Sequence, residues 1–123
     1  MAKAKILVVD DAKSIRETMR LQLLNAGYEV LLAEDAVVAG RLVVEQKPDM
    51  IFCDVNMPYM DGYEFVAALK NDPETKEIPV VFLSASHDVA DRAHETGAVA
   101  YLHKPVLADK LLALVTTVGK KKG

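Results

Sequence analysis

The stretch Pro48-Asp-Met-Ile-Phe-Cys-Asp-Val-Asn-Met-Pro-Tyr-Met-Asp-Gly62 decides the fold. Its apolar run, Met50 to Cys53, has no polar interruption and stops at Asp54. A short unbroken apolar run bounded by turn residues reads as a strand covered on both faces. Asp54 therefore stands where a strand ends, and a loop follows with Pro58 and Gly62 as its turn residues. An isolated aspartate in such a place is more often a cap or a turn residue than a nucleophile. Its neighbours in space have to decide its role.

The same punctuation recurs on both sides. Upstream, Ile6 to Val9 is an apolar run ending at Asp10-Asp11, and Glu29 to Ala33 reads as a second strand. Downstream, Pro79 to Leu83 ends at Ser84, and Val99 to Leu102 ends at His103-Lys104-Pro105. Helical patterns lie between. Ser14-Ile-Arg-Glu17 is a capping-box pattern, followed by Ile15, Met19 and Leu23 at every fourth residue and a stop at Ala26-Gly27. Asp35 is an N-cap for a helix with Ala36, Ala39, Leu42 and Val43 on one face, ended before Pro48. Gly40 weakens that helix by about 1 kcal/mol relative to alanine. Tyr63 to Lys70 forms a third helix, broken by Asn71-Asp72-Pro73. A fourth spans His87 to Thr96 and stops at Gly97. The last puts Leu107, Leu111, Leu114, Val115 and Val118 on one stripe. Five strands alternating with five helices predict an α/β fold with one parallel sheet, a single domain over residues 1–118. Gly119 is expected to stop the last helix. That leaves residues 119–123 as a basic tail, either frayed and disordered or the stub of a linker.

The chain has 123 residues, 51% of them hydrophobic, which suits one domain with a real core. A net charge of −3 provides no basic field, so nucleic-acid binding by this domain is not expected. The single cysteine, Cys53, excludes an internal disulfide and suits a reducing compartment. It reads as an inert buried thiol whose pKa Asp54 would raise. The run Ile6 to Val9 is too short for a signal-peptide core or a membrane span, so a soluble cytoplasmic protein is expected. His87, His94 and His103 show no metal-ligand spacing.

In an open parallel sheet the carboxyl ends of the strands share one edge, and ligands bind there. Asp10, Asp11, Asp54, Ser84 and Lys104 all stand at such ends. Carboxylates gathered in one cleft repel, and burial adds to the cost. A hard cation with oxygen ligands, Mg²⁺, relieves both. Lys104 adds a mobile point charge and Ser84 a hydroxyl. These are the parts for phosphoryl transfer to a carboxylate.

The chain resembles the receiver domains of bacterial response regulators, chemotaxis receivers among them. The matching pieces are Ile6-Leu-Val-Val-Asp-Asp11, the stretch Pro48 to Gly62, Pro79-Val-Val-Phe-Leu-Ser-Ala85 and Gly97-Ala-Val-Ala-Tyr-Leu-His-Lys-Pro105. The resemblance implies a flavodoxin-like sheet of strand order 2-1-3-4-5. It implies Asp54 as phosphoacceptor, with Asp11 binding Mg²⁺ directly, Asp10 helping through water and Asn56 offering its backbone carbonyl. Ser84 and Lys104 would gain in the phosphoryl group a partner they lacked. Tyr101 would be the aromatic switch, and the Lys104–Pro105 bond would be cis. The implied donor is a sensor histidine kinase or a histidine phosphotransfer protein. The implied output is a downstream protein docking on the fourth helix, fifth strand and last helix. The chain would be a monomer or a phosphorylation-promoted dimer, at no membrane, and a switch rather than a conventional enzyme. Two departures stand out: Val106 where many members have Phe, and Ser84 for the commoner Thr. Asn56 and Ser86 occupy positions that tune phosphoryl lifetime, and neither is charged, so a moderate lifetime is expected.

Rival readings fit less well. An aspartyl-phosphate phosphatase needs a second acid two residues beyond its nucleophile, where this chain has Asn56. A dinucleotide-binding fold needs a glycine-rich turn after the first strand, where Asp10-Asp11-Ala12-Lys13 has none. A pseudo-receiver, never phosphorylated and acting only as an interaction module, is the remaining alternative. Met1 precedes the first strand closely and the chain stops after the last helix, so a stand-alone domain is the expectation.

Overall fold

A computed structural model describes residues 4–57, 59–85 and 96–122, with side chains through Val118. Strands β1 (Lys5–Val9), β2 (Glu29–Ala33), β3 (Met50–Asp54), β4 (Val80–Ser84) and β5 (Ala100–His103) form one parallel sheet in the order β2-β1-β3-β4-β5. Helices α1 (Lys13–Asn25), α2 (Ala36–Gln46), α3 (Gly62–Lys70) and α4 (Ala108–Lys122) complete the described elements. The fourth helix predicted from sequence, His87 to Thr96, lies outside the described residues except for Thr96, as do Pro58 and Ser86. The label α4 therefore belongs to the C-terminal helix.

The unbroken apolar runs are explained by cover on both faces of the sheet. Successive strand residues point to opposite sides. Leu7, Val9, Ile51, Cys53, Val80 and Phe82 pack with Ala39 and Val43 of α2 and Phe65, Val66 and Leu69 of α3. The alternate residues, Ile6, Val8, Met50, Phe52, Val81 and Leu83, pack with Met19 and Leu23 of α1 and Leu111, Val115 and Val118 of α4.

Several helix ends differ from the sequence reading. The Ser14–Glu17 capping box does not form. Helix α1 starts two residues earlier than that box would set it, at Lys13, and its N-cap Ala12 makes no side-chain cap bond. Asp10 Oδ1 takes the Ala12 N–H at 2.8 Å, so the strand-end aspartate organises this turn instead. The predicted Asp35 cap does form, accepting from the Val38 N–H at 2.9 Å. Gly62 is not a turn residue but the first residue of α3, capped by Asp61 in a reciprocal box with Glu64. Leu107 does not share the α4 stripe: it precedes the helix and is 51% exposed. Gly119 does not stop α4, whose backbone continues to Lys122. A helical glycine costs only about 1 kcal/mol, and the lysines that follow are good helix formers suited to a helix carboxyl end.

Candidate functional site

Strand register builds the site. Val9 lies opposite Cys53, so Asp10, one step on, comes beside Asp54. Asp54 lies opposite Leu83, and Ser84 opposite His103, which brings Ser84 and Lys104 to the same edge. Each polar residue that ended an apolar run thus meets the others at the carboxyl edge of the sheet.

Asp10 is fully buried and Asp54 is 4% exposed, whereas Asp11 is exposed. One carboxylate oxygen from each of the three lies within 4.8 Å of the others. The Lys104 ammonium enters this cluster, 2.8 Å from Asp10 Oδ2 and 3.3 Å from Asp54 Oδ2. Asp54 Oδ1 accepts the Asn56 N–H at 3.3 Å. Asp10 Oδ2 is buried and takes no well-directed hydrogen bond; the nearby ammonium is what compensates it.

The charges do not balance. Burial pushes the Asp54 carboxyl above its usual range, and Asp10 pushes it further, against Lys104 and the Asn56 N–H. Burial alone would lower Lys104, but Asp10 and Asp54 outweigh it and hold the ammonium above its usual range. One lysine is held firmly charged by two acids, while one lysine does not suffice for the acids. The all-oxygen donor set, three carboxylates against one ammonium, fits a hard divalent cation, so this cluster could hold a metal ion.

The family model of the response regulator receiver domain matches residues 6–116. The chain belongs to this family. Proteins similar to it include PilG of Pseudomonas aeruginosa, 35% identical over 113 residues, 90% of this chain and 84% of that protein. The phosphate regulon transcriptional regulatory protein PhoB of the same organism is 36% identical over 125 residues, all of this chain but 55% of that protein. The chain spans about half of the other curated relatives as well, such as 47% of the mycobacterial response regulator MprA. The crystal structure of the chemotaxis response regulator CheY4 of Vibrio cholerae superposes with a TM-score of 0.89 at 35% identity, covering 95% of this chain and 99% of that one.

Within this receiver domain the structure gathers Asp10, Asp11, Asp54 and Lys104, with Asn56 in the loop beyond β3 and Ser84 buried at the end of β4. Tyr101 stands apart. It is 38% exposed on β5, and its ring meets that of His103 edge-on with centroids 5.3 Å apart. The Lys104–Pro105 bond is cis, as the resemblance implied. One expectation is corrected: Lys104 does not lack partners, since it already contacts Asp10 and Asp54. A phosphoryl group would have to draw it away from them. Cys53 is fully buried, and burial first, then Asp54, Asp10 and Asp61, hold its thiol far above the usual range.

Two residues of the site escaped the sequence reading. Gly62 packs so tightly on β3 that a Cβ there would lie 2.3 Å from the Asp54 carbonyl oxygen and 2.8 Å from Val55 Cα. Its N–H donates to the Val55 carbonyl at 2.9 Å. The acid-x-x-Glu pattern of Asp61 to Glu64 was a legible signal for a helix starting there. Arg16 is the other: its Nη1 donates to the Asp10 carbonyl at 2.8 Å. Nothing in the local pattern marks that contact.

Proposed function

We propose that this receiver domain is a phosphorylation switch in which Asp54 accepts a phosphoryl group in a Mg²⁺-binding cleft. The observation that carries this reading is the nearly buried Asp54 carboxylate, clustered with Asp10 and Asp11 and in contact with the Lys104 ammonium.

The donor is phosphohistidine on a sensor histidine kinase or a histidine phosphotransfer protein. An Asp54 carboxylate oxygen attacks phosphorus as the P–N bond breaks, and the imidazole leaves with the bonding pair and takes up a proton. Asp11, Asp54 and the Asn56 carbonyl would hold Mg²⁺, with Asp10 acting through water. The ion supplies positive charge beside the phosphoryl oxygens when bound. Lys104 moves from its two carboxylates to the phosphoryl group, and the Ser84 hydroxyl donates to a phosphoryl oxygen. These contacts favour an active state that is a minor population beforehand.

The rearrangement reaches Tyr101 through Lys104, since β5 carries both His103 and Tyr101 up to that lysine. The face built from β5 and α4 would dock a downstream protein. The domain transfers and loses its own phosphoryl group but turns over no separate substrate, so it is not a conventional enzyme. Among the described residues no helix is long and apolar enough to cross a membrane. A cytoplasmic location belongs to this reading, and the net charge of −3 provides no basic field for nucleic acid.

Intact mass after incubation with acetyl phosphate tests the reading. One phosphoryl group should be added to the wild type with Mg²⁺, and none without Mg²⁺ or in Asp54→Asn. No addition, with acetyl phosphate or with candidate kinases, would place the chain among pseudo-receivers that act only by docking.

A further inference from the structure

Asp10 is restrained at each of its polar groups. Its N–H donates to the Ala33 carbonyl at 3.1 Å, Oδ1 accepts from Ala12, and Oδ2 faces the Lys104 ammonium. Its carbonyl oxygen accepts from Arg16 Nη1 at 2.8 Å. That carbonyl belongs to the peptide linking Asp10 to Asp11, and the tilt of this peptide sets where the Asp11 side chain emerges. The bond is charge-assisted and comes from a rigid planar fork on the first turns of α1. Arg16 and Arg20, one turn on, are both partly exposed, but Arg20 pairs loosely with the exposed Glu17 at 3.6 Å.

We propose that Arg16 is a positioning residue: its guanidinium, bonded to the Asp10 carbonyl, holds the Asp10–Asp11 peptide so that both carboxylates face one divalent cation. This rests on the reading of the cleft as a Mg²⁺ site. Groups that orient metal ligands without touching the metal typically change its affinity by about 10–100-fold when removed. The charge of Arg16 acts in the opposite sense. A guanidinium beside the cleft repels a cation, so losing it through charge alone would tighten Mg²⁺ binding. The two roles therefore differ in the sign of the effect.

The test is calorimetric titration with MgCl₂ of the wild type, Arg16→Met, Arg16→Lys and Arg20→Met, each first shown to unfold cooperatively in urea with EDTA. Arg16→Met should weaken Mg²⁺ binding about ten-fold, the lower end of that range because its bond is to backbone. Arg20→Met removes the same charge from the surface and should change affinity by less than about two-fold, because exposed charges are screened. Arg16→Lys keeps the charge and a donor but loses the fork, and its affinity should fall between wild type and Arg16→Met. It decides the matter if Arg16→Met does not fold: unaltered or tighter binding by Arg16→Lys would then overturn the inference. Equal or tighter binding by a folded Arg16→Met would overturn it while leaving the cleft a Mg²⁺ site. A wild type that binds no Mg²⁺ would remove the reading of the cleft and this inference together.

Discussion

The same substitution, glycine to alanine, should have opposite effects at Gly62 and at Gly40. Neither glycine has a positive φ, so neither is required by backbone conformation. At Gly62 an added Cβ would lie 2.3 Å from the Asp54 carbonyl oxygen and 2.8 Å from Val55 Cα, both backbone atoms at the end of β3. An ordinary contact is about 3.5 Å or more, so the start of α3 must back away from the sheet by about 1 Å. Overpacking of this kind costs about 1–3 kcal/mol. Alanine regains at most about 1 kcal/mol of helix propensity, less at a first helical position. With that gain reduced to about 0.5 kcal/mol at a first helical position, the net expectation is a loss of about 0.5–2.5 kcal/mol. With a urea dependence of about 1–3 kcal/mol per molar, the unfolding midpoint should fall by about 1 M. At Gly40, inside α2, a Cβ meets nothing within 4 Å. There Gly40→Ala should stabilise by up to about 1 kcal/mol through propensity alone. Urea titrations of both variants, in EDTA and monitored by circular dichroism, read both signs. A Gly62→Ala midpoint equal to or above the wild type would refute the steric argument and with it the claim that α3 is clamped onto the end of β3 at Asp54.

Three further expectations concern the cleft and the core. Lys104→Met leaves the buried acids Asp10 and Asp54 without their ammonium and should cost about 3 kcal/mol in EDTA, with Mg²⁺ recovering part of the loss; an unchanged urea midpoint would show that the ion pairs contribute nothing. Asp54 has a folded-state pKa raised above its ordinary 3.8 by burial and by Asp10, so its contribution to stability is present below that value and lost as pH rises through the folded one. Asp54→Asn in EDTA should therefore be more stable than the wild type at neutral pH, with the gain vanishing as pH falls below the ordinary carboxylate range; a gain independent of pH would rule out this cause. Cys53 is fully buried with its thiol held protonated, so a thiol reagent should label it only through unfolding, at a rate that rises with urea in step with the unfolded fraction; rapid labelling of the native protein would contradict the burial.

The strands were legible in the sequence because a sheet covered on both faces leaves unbroken apolar runs, and four of the five, all but β2, end at a polar residue of the cleft. Asp10, Asp54, Ser84 and Lys104 could be picked out for that reason, and parallel pairing then had to bring them to one edge. Local pattern also located Asp35 as a cap, because an N-cap bond spans only three residues. It failed where a distant group competes. The Ser14–Glu17 box lost to Asp10, whose carboxylate takes the N–H at the head of α1. Gly119 reads as a stop on its own but is carried along by the helix around it. Gly62 looks like any turn glycine until the carbonyl of Asp54 is placed against it. Composition shows that acids and a lysine are present; only the tertiary structure decides that Lys104 lies between Asp10 and Asp54, that burial holds Asp54 above its ordinary pKa, and that Arg16 reaches back to the Asp10 carbonyl. Those contacts depend on distances between separate strands and helices, which chain order alone does not set.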